Sequence, residues 1–215
     1  VSFNTYVCKS LLDRFFKISP VGLYKLIKPY FSVIVVIGSI LTEYEYIALL
    51  TYSKLYSSVA TVELLERRLK IQAYNHKCAY NSGYICGDMT EQQTKDKVFV
   101  ELERWQRSFN ISDLDVLIAT PPCQGMSVAN HKKKDELKRN SLVVESIKLT
   151  RQIKPKFFIY ENVRAFLTSI CTDTDGKDKP IKEAIDVNLS GDYNILYQVI
   201  NFKDYGNPSS RTRTL

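Results

Sequence analysis

At 215 residues, with 45% of them hydrophobic and 25% charged, the chain can bury one substantial core and is too apolar for a disordered tail. Its formal charge of +7 suits a polyanionic partner, although basic proteins without one are common. Five cysteines, at positions 8, 78, 86, 123 and 171, are odd in number and lack metal-ligand spacing, which argues against a disulfide framework and a zinc module. Free thiols fit a reducing cytoplasm. The chain shows no secretory signal pattern, and its longest mostly apolar run, residues 31–41, is about half a bilayer span. No membrane partner is expected.

Residues 1–58 differ in character from the rest, with a piece of helix predicted at 11–16 and a strand at 33–37. From Ser58 the pattern sharpens. Residues 59–63 read as a strand ending in the acid Glu63, and 64–74 carry helical spacing at Leu64, Leu65, Leu69 and Ile71. Residues 84–86 form a short strand leading into Gly87 and Asp88. A polar helix is predicted at 90–109, a strand from Val116 to Ala119, a helix at 141–153 and a strand from Lys156 that ends in Glu161, Asn162 and Val163. An exposed connection at 172–179, a helix at 181–189 and a strand at 193–202 complete the pattern. This alternation predicts an α/β fold with a doubly wound, mostly parallel sheet.

The stretch 115–127 organises the rest. Val116, Leu117, Ile118 and Ala119 form the apolar run of a strand buried on both faces. Pro121 and Pro122 force the chain out of the sheet as a rigid loop, because proline cannot donate to a ladder and restricts the residue before it. Cys123 is therefore placed at the carboxyl end of a parallel strand, where open α/β sheets keep their ligands. A free cysteine is more often a small buried hydrophobe than a nucleophile, so its neighbours must decide.

Pro121, Pro122, Cys123, Gln124 and Gly125 after an Asp-led strand resemble the signature loop of the C5-cytosine DNA methyltransferases. Glu161, Asn162 and Val163 resemble the family's next block, 38 residues on (161 − 123), the length of one loop, one helix and one strand. The resemblance implies the S-adenosylmethionine-dependent, Rossmann-like methyltransferase fold, and an enzyme of a restriction-modification or phage or bacterial DNA methylation system. Its partner would be double-stranded DNA and its methyl donor S-adenosyl-L-methionine, without a metal. Cys123 matches the nucleophile that adds to C6 of a flipped cytosine, and Glu161 the acid that hydrogen-bonds N3. Pro122, Gln124, Gly125 and Asn162 match the loop around the base. In Tyr205-Gly206-Asn207-Pro208-Ser209-Ser210-Arg211-Thr212-Arg213, Arg211 and Arg213 match the family's arginine pair, with Arg213 set to hold the cytosine carbonyl. Ser209 stands where the family has glutamine. Glu63 matches the acid on the cofactor ribose, Asp88 the acid on its adenine, and Pro121 the flank of that pocket. Lys132, Lys133, Lys134, Lys138 and Arg139 are candidates for phosphate contact, although a run mixed with acids commonly makes a solvated face.

The family's opening Phe-x-Gly-x-Gly loop has no counterpart, since no glycine lies between Gly38 and Gly83. Residues 1–58 are accordingly expected to be a divergent segment, and 59–215 a catalytic core truncated before a target-recognition domain. Weak cofactor binding by the isolated chain follows. The alternatives are a non-catalytic fragment or split subunit that binds nucleic acid or a complementing chain carrying the recognition domain, and a related tRNA cytosine methyltransferase.

Overall fold

Val33, Ile34, Val35, Val36 and Ile37 are five consecutive β-branched residues, the composition of a parallel strand covered on both faces. In the computed structural model, which describes residues 32–38, 56–110, 112–121, 142–205 and 210–215, they lie in β1 (Ser32–Gly38). β2 (Tyr56–Glu63) follows, then β3 (Tyr84–Cys86), β4 (Val116–Thr120) and β5 (Phe157–Tyr160). All four pairings are parallel, in the order β3-β2-β1-β4-β5. The chain winds outward from β1 in one direction, then returns and winds outward in the other. This is the doubly wound α/β sheet that the alternation predicts.

The boundary expected at residue 58 falls inside β2, and β1 is the middle strand. The sheet thus takes strands from both sides of that boundary. Helix 11–16 lies outside the described residues.

Among the described residues, four helices accompany the sheet: α1 (Glu66–Tyr74), α2 (Gln92–Phe109), α3 (Leu142–Ile153) and α4 (Ile181–Leu189). Each falls within about two residues of its expected span, because the apolar spacing that signals a helix is also what buries it. One core cluster joins Val59, Val62, Val98, Leu102, Trp105 and Leu117; a second joins Ala119, Val143, Ile147, Tyr160, Phe166 and Ile185. All five residues of β4 are buried, so the strand leading to Pro121 is covered on both faces. Each buried aliphatic side chain of this kind contributes about 1.5–3 kcal/mol. Lys95 on α2 forms an ion pair with Glu145 on α3 and so ties two helices that are distant in sequence.

Two segments differ from expectation. Residues 174–178 are exposed as expected, but the segment 172–179 is the turn of an antiparallel hairpin, β6 (Ile170–Thr172) and β7 (Asp178–Pro180). Asp173 there is buried and paired with Lys179 at 2.9 Å, while Asn188 Nδ2 donates to both its oxygens. A run of acids and lysines reads as solvated in sequence, but mutual pairing lets part of it pack. The strand expected at 193–202 is only β8 (Val199–Asn201), which pairs antiparallel with β9 (Thr212–Thr214). The apolar residues ahead of it pack as irregular chain against the second cluster.

Candidate active site

The winding reverses between β1 and β4, and Gly38 lies in register with Thr120 at the carboxyl end of that pair. Ligands of open α/β sheets bind in the crevice outside such a switch point. Pro121 leaves the sheet there. Residues 122–130, which include Pro122, Cys123, Gln124 and Gly125, lie outside the described residues, as do the lysines at 132–134 and 138 and Arg139.

Glu161 follows β5 directly, and its N–H donates to Ala119 O at 3.0 Å, so it sits beside the end of β4. The residue is 8% exposed. Arg213 Nε lies 2.7 Å from Glu161 Oε1. That oxygen nevertheless has no well-aligned hydrogen-bond donor, so the contact is an ion pair more than a directed bond. Burial pushes the Glu161 carboxyl above the ordinary carboxylate range, against the opposing pull of Arg213 and then Arg211. The side chain is thus poised to hold a proton at a higher pH than a surface glutamate.

Asn162 fastens three chain segments. Its Nδ2 donates to Pro121 O at 2.9 Å, and its Oδ1 accepts from Val163 N at 2.9 Å. Its backbone exchanges two bonds with Thr214, which brings β9 and hence Arg213 to the end of β5. Arg211 is exposed. Glu161, Asn162, Pro121 and Arg213 are therefore brought together.

Across β1 stands a second group. Glu63 is 3% exposed at the end of β2; its Oε1 takes Leu65 N at 3.3 Å and Arg68 Nη1 at 3.4 Å. Glu63 Oε2 is buried without a hydrogen-bond partner. A buried carboxylate oxygen left in this state costs free energy unless a donor reaches it. Asp88 lies two residues beyond β3, and its Oδ1 accepts from both Thr90 N and Thr90 Oγ1 at 2.8 Å. Cys86, in register with Glu63, is exposed and was not singled out from sequence; nor was Arg68, whose five-residue offset from Glu63 has no strand or helix signature.

Among the other described cysteines, burial pushes the Cys78 thiol up to about 12 and the Cys171 thiol up to about 11. Both are poor nucleophiles at neutral pH.

A sequence profile of the C-5 cytosine-specific DNA methylases matches residues 47–215. The chain belongs to this family. Type II methyltransferase M1.HgaI of Avibacterium volantium is 32% identical over 161 residues, 71% of this chain and 41% of that protein. Type II methyltransferase M.AquIA of Picosynechococcus sp. is 31% identical over 137 residues, 60% of this chain and 50% of that protein. The chain thus spans half or less of the length of these relatives. The crystal structure of S. pombe Dnmt2 methyltransferase superposes with a TM-score of 0.53 at 16% identity, over 86% of this chain and 49% of that one. At that identity the likeness speaks for the fold. The profile begins at residue 47, ahead of the boundary expected at 58.

Proposed function

We propose that this member of the C-5 cytosine-specific DNA methylases is a catalytic core, spanning residues 59–215 with β1 completing its sheet, that transfers a methyl group to C5 of a flipped cytosine in double-stranded DNA. Its setting is the cytoplasm, in a restriction-modification or related DNA methylation system. The observation that carries this reading is the buried pair of Glu161 and Arg213 beside Pro121, two residues before Cys123.

In this reading Cys123 is the nucleophile. Its thiolate adds to C6 while Glu161, protonated because it is buried, donates to N3 and draws electron density out of the ring. Arg213 orients Glu161 and faces the cytosine carbonyl, where its positive charge stabilises the charge that develops. C5 then accepts the methyl group and loses its proton, and the bond from C6 to sulfur breaks to return the thiol. Pro122, Gln124 and Gly125 frame the base, Asn162 fixes the loop through Pro121, and Arg211 binds on the substrate side. None of this is possible within a stacked duplex, so the base must be flipped.

The residues at the far side of β1 fit S-adenosyl-L-methionine, which when bound supplies an electrophilic methyl on a sulfonium. Glu63 Oε2, buried and lacking a donor, suits a ribose hydroxyl; Asp88 suits the adenine amino group, and Pro121 flanks the pocket. No metal is needed by this chemistry.

Duplex DNA of mixed sequence with 5-fluorocytosine in place of cytosine, incubated with the chain and saturating S-adenosyl-L-methionine, tests the reading. Fluorine takes the place of the C5 proton and cannot leave as a cation after methyl transfer, so elimination is blocked and even slow turnover accumulates as a denaturation-stable adduct. An adduct that disappears in Cys123→Ser supports the reading; an adduct that persists in that variant overturns it. The lack of any glycine between Gly38 and Gly83 favours a second reading, a non-catalytic fragment or split subunit that binds nucleic acid or a complementing chain. That reading expects DNA retention without an adduct. Running the same trap on tRNA separates the tRNA alternative.

A further inference from the structure

Glu63 closes β2 with its backbone fixed from the neighbouring strand: Gly87 N donates to Glu63 O at 3.2 Å, and Cys86 lies in register beside it. The chain then folds straight back into α1, because Leu65 O accepts from both Arg68 N at 2.9 Å and Leu69 N at 3.3 Å. This tight turn brings the third residue of α1, Arg68, to the side chain of Glu63. Arg68 Nη1 reaches Glu63 Oε1 at 3.4 Å, and Leu65 N reaches the same oxygen at 3.3 Å.

The two carboxylate oxygens are treated unequally. A guanidinium set for ion pairing alone commonly meets a carboxylate with two parallel N–H groups, one to each oxygen. Here both donors converge on Oε1, and Oε2 is buried without a hydrogen-bond partner. A buried acceptor in that state costs free energy, and a ligand hydroxyl that donates to it removes the cost. The last torsion of a glutamate side chain is soft, so the direction of Oε2 is set by what holds Oε1. Both contacts to Oε1 are long for hydrogen bonds, so Leu65 N alone does not fix it.

We propose that Arg68 is a positioning residue for the nucleoside half of the cofactor: resting on the reading of Glu63 as the ribose acid, Arg68 commits Oε1 to the protein and so presents Oε2 to a ribose hydroxyl. Arg68 acts through Glu63 rather than on the ligand. Removing the guanidinium frees the carboxylate to turn, so selectivity for the ribose hydroxyls falls while the affinity that comes from the rest of the nucleoside stays.

Nuclear magnetic resonance titration of the full chain, which reads dissociation constants up to ~10 mM, with adenosine and with 2′,3′-dideoxyadenosine measures that selectivity, since the second nucleoside lacks both ribose hydroxyls. The parent should prefer adenosine by about tenfold, the worth of a hydrogen bond to a charged acceptor. Arg68→Met should abolish the preference while holding the dideoxy nucleoside as the parent does. Lysine supplies the single donor that Arg68 uses on Oε1, so Arg68→Lys should restore most of the preference. A preference that survives Arg68→Met but disappears in Glu63→Gln overturns the role of Arg68 and leaves the ribose reading standing. Loss of both nucleosides together in Arg68→Met shows a structural role and also overturns it. A parent that binds both nucleosides equally, or neither, overturns the ribose reading and the role of Arg68 with it.

Discussion

Arg213 Nε and Glu161 Oε1 are 2.7 Å apart, although β5 and β9 reach this contact from opposite directions. The pair couples a buried acid to a strand that is itself anchored by Asn162. It also sets a pH dependence. Because burial raises the Glu161 pKa, the folded state holds its proton where the unfolded chain has released it. Stability from this group is therefore greatest below the unfolded value near 4.5 and falls as pH rises from there through the folded value. Thermal midpoints measured from pH 4 upward should fall less steeply in Glu161→Gln than in the parent. An unchanged slope would show that Glu161 is not the group responsible. The same substitution should keep some DNA binding while losing most turnover, since an amide donates to N3 but cannot supply a proton.

Asn162→Ala removes the link to Pro121 O and the bond to Val163 N, both on a residue 3% exposed. Chemical denaturation should show a loss of about 1–3 kcal/mol. Asn162→Asp keeps the acceptor for Val163 but sets a buried carboxylate oxygen against Pro121 O, so it should cost at least as much stability as Asn162→Ala. Activity should fall in both variants, because the loop bearing Cys123 loses its tether.

Binding of S-adenosyl-L-methionine by the isolated chain should be weak. Glu63 offers a buried, partnerless oxygen, but the segment after Gly38 carries no glycine to let backbone approach a ligand. Calorimetric titration returning a micromolar dissociation constant would show that the glycine loop is dispensable here. If binding is measurable, Glu63→Gln should weaken it by about tenfold, the worth of a hydrogen bond to a charged acceptor.

Methyl transfer by this protein should depend wholly on Cys123. Serine is far too weak a nucleophile at neutral pH to attack an aromatic ring. Tritium transfer to DNA by the parent and its Cys123→Ser variant provides the comparison. Equal rates would rule out the covalent mechanism.

Local composition alone determined most of the elements. The β-branched run at 33–37, the strand-forming Val59, Thr61 and Val62, the apolar Val116–Thr120 stopped by Pro121, and the helical spacing at 181–189 are signals within a few residues, and each forms the element its pattern requires. Glu63 and Glu161 were legible as strand-end acids for the same reason. What the chain could not disclose locally is which elements meet. That β1 would sit between β2 and β4, and so join residues on both sides of 58 into one sheet, depends on pairings made across a whole domain. The hairpin at 170–180 forms because Asp173 finds Lys179 and Asn188, and the strand expected from residue 193 shortens to Val199–Asn201 because its early apolar residues pack against a helix-lined cluster. The Glu161 and Arg213 contact is of the same kind: each residue type was readable in place, but only antiparallel docking of β9 beside β5 brings their charges together in a buried setting.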